Sequence, residues 1–159
     1  RIFKSKKEKM SLELLKPISN SLIDEIDKVQ LQGSIIKNIT YHSESYGLPN
    51  IDEASILILG VTEIRNSSFN SHSQDLNIFR KEFYQLKYGD WKHKIADIGD
   101  LPNGENVEDT YHAIYEICNE VITNNKILII IGGSNDLIFP IFKSFNSLKN
   151  KVNIVSIDN

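Results

Sequence analysis

This 159-residue sequence predicts an α/β fold on a mostly parallel sheet, and three observations carry that reading. Short, continuous apolar runs at 55–61, 94–98, 127–131 and 152–157 alternate with stretches of helical periodicity. Continuous apolar runs, rather than alternating ones, are what strands buried on both faces look like. The runs also end at glycine or polar residues: Gly60, Gly99-Asp100, Gly132-Gly133 and Asp158. In open α/β sheets, ligands gather at those carboxyl ends.

Taken in order, residues 1–10 read as a tag or disordered tail. Met10 is the single methionine, and the basic run from Lys4 to Lys9 reads as a solvated tail rather than a binding patch. Residues 11–50 read as an N-terminal helical extension. Leu15, Ile18, Leu22, Ile26 and Val29 recur at helical spacing over 12–30, with Pro17 tolerated in a first turn. A strand-like or irregular piece follows at 35–41, and Pro49-Asn50 marks a loop.

The first confident strand is SILILGV at 55–61. A long Ser- and Asn-rich loop, 62–74, follows and reads either as a binding loop or as a plain flexible connection. An amphipathic helix is expected over 75–88, with Leu76, Phe79, Phe83 and Leu86 on one face and Gly89 ending it. The second strand, 94–98, runs into Gly99-Asp100, and Asn103-Gly104 makes a turn. Asn106 then caps a helix whose stripe is Val107, Tyr111, Ile114, Cys118 and Val121, with Asp109 completing an imperfect capping box. The third strand, the Gly132-Gly133 turn and a helix reaching about 148 come next. A fourth strand at 152–157 follows. The stop at Asp158-Asn159, just past an apolar strand, reads as a fragment of something longer, with a raw sheet edge that predicts self-association or marginal stability.

Composition narrows the class. A net charge of −3 gives no sign of nucleic acid or a membrane surface, and no apolar run approaches the roughly 18–20 residues of a span. No apolar signal-peptide segment opens the chain. Cys118 is the only cysteine, so no internal disulfide is possible and a reducing cytoplasm is expected. Cys118 lies in the helix stripe and reads as a small core residue.

Candidate chemistry lies at the strand ends: Asp97 with Asp100, Ser134 with Asn135 and Asp136, and Asp158. Carboxylates converging on one rim suit a divalent metal. Asn135 or Asp136 could instead simply cap the helix beginning near Leu137. The candidate ligand-binding residues are Gly132, Gly133, Ser134, Asn135 and Asp136. His42, His72, His93 and His112 show no metal-ligand spacing, and His72, in the long loop, is the hardest to set aside.

From residue 55 onward the chain resembles the ureohydrolase family of arginase, agmatinase and formimidoylglutamase. SILILGV resembles its first core strand, and Ile78-Phe79-Arg80 resembles the helix carrying its I-R pair. Ile95 to Asp100, IADIGD, resembles its D-x-G-D strand end. IIIGGSND, ending at Asp136, resembles the strand and turn that read G-G-D-H-S in active members. Val155-Ser156-Ile157-Asp158 resembles the opening of D-A-H-x-D. The resemblance implies a three-layer α/β/α fold, of which 51–159 would be the N-terminal part. It also implies hydrolysis of a linear amidine or guanidine C–N bond by hydroxide activated on two manganese ions.

Departures accompany the matches. Asn135 stands at the metal-binding histidine and Ser134 at its aspartate neighbour. Of the implied ligands only Asp158 is in place, with Asn159 after it where alanine is expected. Asn135 is not expected to act as a ligand, and this chain is expected to bind no manganese. The reading is an arginase-like protein with lost or reduced metal binding. It would act on a small amidine or guanidine if active, and would have a possible homo-oligomeric or protein partner. The alternatives are a non-catalytic scaffold and an SGNH-type esterase, whose G-x-N-D block Gly133 to Asp136 matches without a nucleophilic serine block. A third reading, a phosphate binder at the glycine turn, lacks both nucleotide-binding glycine patterns.

Overall fold

The computed structural model describes residues 12–29, 32–67, 75–148, 153 and 155. Four strands form one sheet: β1 (Thr40–Tyr41), β2 (Ile56–Val61), β3 (Ile95–Leu101) and β4 (Ile127–Gly132). Their order is β1-β3-β2-β4, and every pairing is parallel. The helices are α1 (Asn20–Val29), α2 (Leu76–Gln85), α3 (Val107–Thr123) and α4 (Ile138–Ser147). The result is the α/β arrangement with a parallel sheet that the sequence predicts. The tail at 1–10 lies outside the described residues. So does the expected strand at 152–157, apart from Asn153 and Val155, both exposed.

Alternation along β2 sorts its side chains. Leu57, Leu59 and Val61 join Ala96 and Ile98 of β3 and Ile114, Ile117, Cys118 and Val121 of α3 in one core. Burial of the Cys118 thiol pushes its pKa up to about 12, which suits an inert core residue. A second core joins Ile18, Leu22 and Ile26, from α1 and the segment before it, to Ile35, Ile36 and Tyr84. Gly60 faces α2. A Cβ there would sit 1.9 Å from Asp100 Oδ1 and 2.7 Å from Leu76 Cδ1, so the missing side chain is what lets α2 lie close.

Four local expectations change. The first helix starts at Asn20, not near 12. Residues 12–14 make a single 3-10 turn, and Lys16 forms an antiparallel bridge with Asp100 instead. Lys16 N donates to Asp100 O at 2.8 Å, and Asp100 N donates to Lys16 O at 2.9 Å. Sheet pairing thus overrides the helical spacing at Leu15 and Ile18. The buried stripe of α2 is Leu76, Arg80 and Tyr84, while Phe79 and Leu86 are exposed. Residue type pointed to the wrong face because the buried arginine meets buried carboxylates in the sheet. β3 extends to Leu101, so Asp97, Gly99 and Asp100 belong to the strand itself. β4 is not buried on both faces: Ile127 and Ile129 are 57% and 43% exposed, and its one described ladder partner is β2.

The α3 capping box is complete. Asp109 N donates to Asn106 Oδ1 at 2.9 Å, and Asn106 N donates to Asp109 Oδ2 at 3.2 Å. The shorter aspartate does the work usually given to glutamate.

Candidate functional site

The carboxyl ends of β2, β3 and β4 bring together three segments: the loop 62–67, the end of β3, and the turn at 132–136. At the turn, Gly132 and Gly133 take φ of +83° and +78°, a region that disfavours side chains. This bend lets Ser134 N donate to the Glu63 carbonyl at 2.9 Å, latching the turn after β4 to the loop after β2. Ser134 Oγ donates to the same oxygen at 3.3 Å.

Glu63 was not singled out in the sequence. Its side chain is wholly buried, paired with the Arg65 guanidinium, whose Nε donates at 2.9 Å, and accepting from Thr110 Oγ1 at 2.9 Å. The Arg65 hydrogen bonds hold the carboxyl below its ordinary range against the opposing effect of burial. Arg65 also donates to the Gly104 and Glu105 carbonyls, tying this loop to the entry of α3. The one available sequence signal was a Glu and an Arg two apart in an otherwise Ser- and Asn-rich loop.

The two motif segments at 78–80 and 95–100 meet. Arg80 is fully buried. Its Nε donates to Asp97 Oδ2 at 2.9 Å, Nη2 to Asp97 Oδ1 at 3.1 Å, and Nη1 to Asp100 Oδ1 at 2.7 Å. Tyr84 Oη donates to Asp97 Oδ2 at 2.7 Å. Burial works against the Arg80 charge, but Asp97 and Asp100 raise its pKa all the same. Burial raises the Asp100 carboxyl, and Arg80 only partly counters that. Asp97 and Asp100 therefore brace α2 against the sheet and are already spoken for as donors to a metal.

At the turn itself, the Asp136 side chain is held mainly by other side chains. Its Oδ2 accepts from Tyr111 Oη and, at 3.2 Å, from Asn66 Nδ2; its Oδ1 accepts from Ser134 Oγ. Burial pushes this carboxyl up, but the bonds from Ser134, Tyr111 and Asn66 outweigh it and the net shift is downward. The bond to Asp136 in turn raises the Tyr111 phenol. Asn135 opens a 3-10 turn, 135–137, and is exposed; Ser134 occupies the capping position without a side-chain cap. Leu137 closes under the turn into the core.

Among the described residues the donors at this rim do not make up the site of a manganese pair. An amide stands at 135, and Asp97 and Asp100 are paired with Arg80. Among the described residues no group of three or more His, Cys, Asp or Glu is placed to hold a metal ion. Asp158 and His72 lie outside the described residues. His42 is buried, with Nδ1 3.2 Å from the Ile98 carbonyl, and His112 stacks on Tyr115. Among the described residues no helix is long and apolar enough to cross a membrane.

Comparison with known proteins places the chain beside a family and beside solved structures. A model of the arginase family matches residues 52–159. Among solved structures, the agmatine ureohydrolase of Thermoplasma volcanium shares the fold with a TM-score of 0.52 at 17% identity. That likeness covers 76% of this chain and 41% of the other, so the chain spans less than half of that protein's length. No curated protein matches.

Proposed function

Because the chain belongs to the arginase family, we propose that it is part of a ureohydrolase-type protein with reduced metal binding that binds a small linear amidine or guanidine at its strand-end rim. Hydrolysis of a C–N bond in such a compound, for instance of the formimidoylglutamase type, is the reaction this reading assigns to the whole protein. The observation that supports it is the turn at 132–136. It stands at the carboxyl end of a parallel strand, latched to the neighbouring loop, and presents an exposed amide at Asn135 where the resemblance implies an imidazole. An amide oxygen is a far poorer ligand for a divalent metal than imidazole.

The test uses the full-length protein, assayed for bound manganese after loading. Release of urea, ammonia or formamide would be measured from arginine, agmatine and formimidoylglutamate. Turnover that a chelator abolishes supports a hydrolase with a reduced site. A second reading, a non-catalytic scaffold that keeps the fold and works through a homo-oligomeric or protein partner, is favoured by the pairing of Glu63, Asp97 and Asp100 with arginines. Absence of both bound manganese and turnover selects the scaffold. A cytoplasmic location is part of the same proposal, in keeping with a single, buried, unpaired cysteine.

A further inference from the structure

Four carboxylates stand on or just after the strands at this rim, and their neutralisation differs. Glu63 pairs with Arg65, and Asp97 and Asp100 share Arg80. Asp136 is held by a phenol, an amide and a hydroxyl, all of them neutral, and among the described residues no cation pairs with it. Neutral donors orient a carboxylate without cancelling its charge, so Asp136 keeps a negative charge on a half-buried surface. Beside it the surface is aromatic. The Tyr111 ring, whose hydroxyl bonds Asp136, lies 6.3 Å from the ring of Phe139, and Phe139 is 61% exposed at the start of α4.

A fixed carboxylate with no cationic partner among the described residues, beside a half-buried tyrosine ring and an exposed phenylalanine, matches one chemical class. Planar organic cations pair with a carboxylate through N–H donors and stack on aromatic rings. Among the described residues no group of three His, Cys, Asp or Glu is placed to share a metal ion with Asp136. We propose that Asp136, with Tyr111 and Phe139, is the anchor for the guanidinium or amidinium group of the ligand, and that it acts without a metal. This rests on the small-molecule reading given above and adds to it the residues that recognise the cationic group. The exposed amides of Asn66 and Asn135 flank the anchor and supply further hydrogen-bonding groups.

The experiment titrates the full-length protein with methylguanidinium, and separately with urea as its neutral planar counterpart, by calorimetry in a buffer containing chelator. Methylguanidinium is expected to bind about tenfold more tightly than urea, the scale of a hydrogen bond to a charged group. Asp136→Asn keeps the shape, removes the charge, and is expected to abolish that preference. Phe139→Ala alters an exposed side chain and should leave folding intact. It is expected to weaken methylguanidinium about threefold, in line with an exposed cation–π contact. Equal affinity for the two probes, no binding of either, or a Phe139→Ala protein that binds like the parent overturns the proposal. The two readings fail separately. Chelator-resistant binding without turnover keeps the anchor and removes the hydrolase, whereas turnover indifferent to Asp136→Asn keeps the hydrolase and removes the anchor.

Discussion

Arg80 neutralises a buried carboxylate, Asp97, and a half-buried one, Asp100, so removing it would leave the Asp97 charge buried without a cation. Loss of one side of a buried ion pair costs about 3–5 kcal/mol. Arg80→Met is therefore expected to lower the stability of the protein by that amount in urea denaturation. Tyr84→Phe, which deletes a hydroxyl donor to Asp97, should cost about 1.5–3 kcal/mol. The acid limb of stability also has a stated origin. Glu63 and Asp136 are held below their ordinary range, so their contribution is complete above that range and is lost as pH falls through their lowered pKa values. Asp100 works the other way: its raised carboxyl costs stability when charged, and acid relieves that cost. Glu63→Gln is expected to flatten the acid limb in a series of melts from neutral to low pH, and an unchanged limb would count against Glu63 as its source. In the sequence, Arg80, Asp97 and Asp100 were visible as motif residues. Their mutual pairing was not, because spacing along a chain does not show which side chains face each other across a helix and a sheet. Glu63 and Tyr111 were missed as site residues for the same reason: each acquires its role from a partner on another element.

Elements with a local signature were read well. Asn106 and Asp109 made the start of α3 legible because a capping box is a contact between near neighbours in sequence. Asn106→Ala is expected to cost about 1 kcal/mol, measured as a shift in the denaturation midpoint at constant slope. Where tertiary contacts decide, the local reading slipped. Residues 12–18 carry helical spacing, yet Lys16 pairs with β3. The apolar stripe assigned to α2 ran along Phe79 and Leu86, whereas a polar pair, Arg80 and Tyr84, goes inward. At β4, a run of five branched aliphatics looked equally buried on both sides, because side-chain type alone cannot report that the strand has one described neighbour.

At the scale of the whole molecule, the class of fold was legible from alternating strand and helix patterns, but the strand order was not. β1 is two residues long and has no pattern of its own, and only the sheet shows it beside β3. Among the described residues the outer ladder of β4 has no partner, and Ile127 and Ile129 stand beside it exposed. With the expected strand at 152–157 as the edge of the sheet, the 159-residue chain in isolation is expected to self-associate with rising concentration in analytical ultracentrifugation. A single monomeric species over the whole concentration range, with a sharp cooperative melt, would sink that expectation. The bridge between Lys16 and Asp100 has a further consequence, for biosynthesis. The mate for Lys16 lies in β3, much later in the chain, so it does not exist until the ribosome has delivered that strand; the two then fit closely, because a Cβ on Gly99, which has φ of +87°, would lie 2.1 Å from the Lys16 carbonyl. Until then Lys16 has no ladder partner, and Leu12 and Leu15 lack the Ala96, Ile98 and Leu101 side of their core.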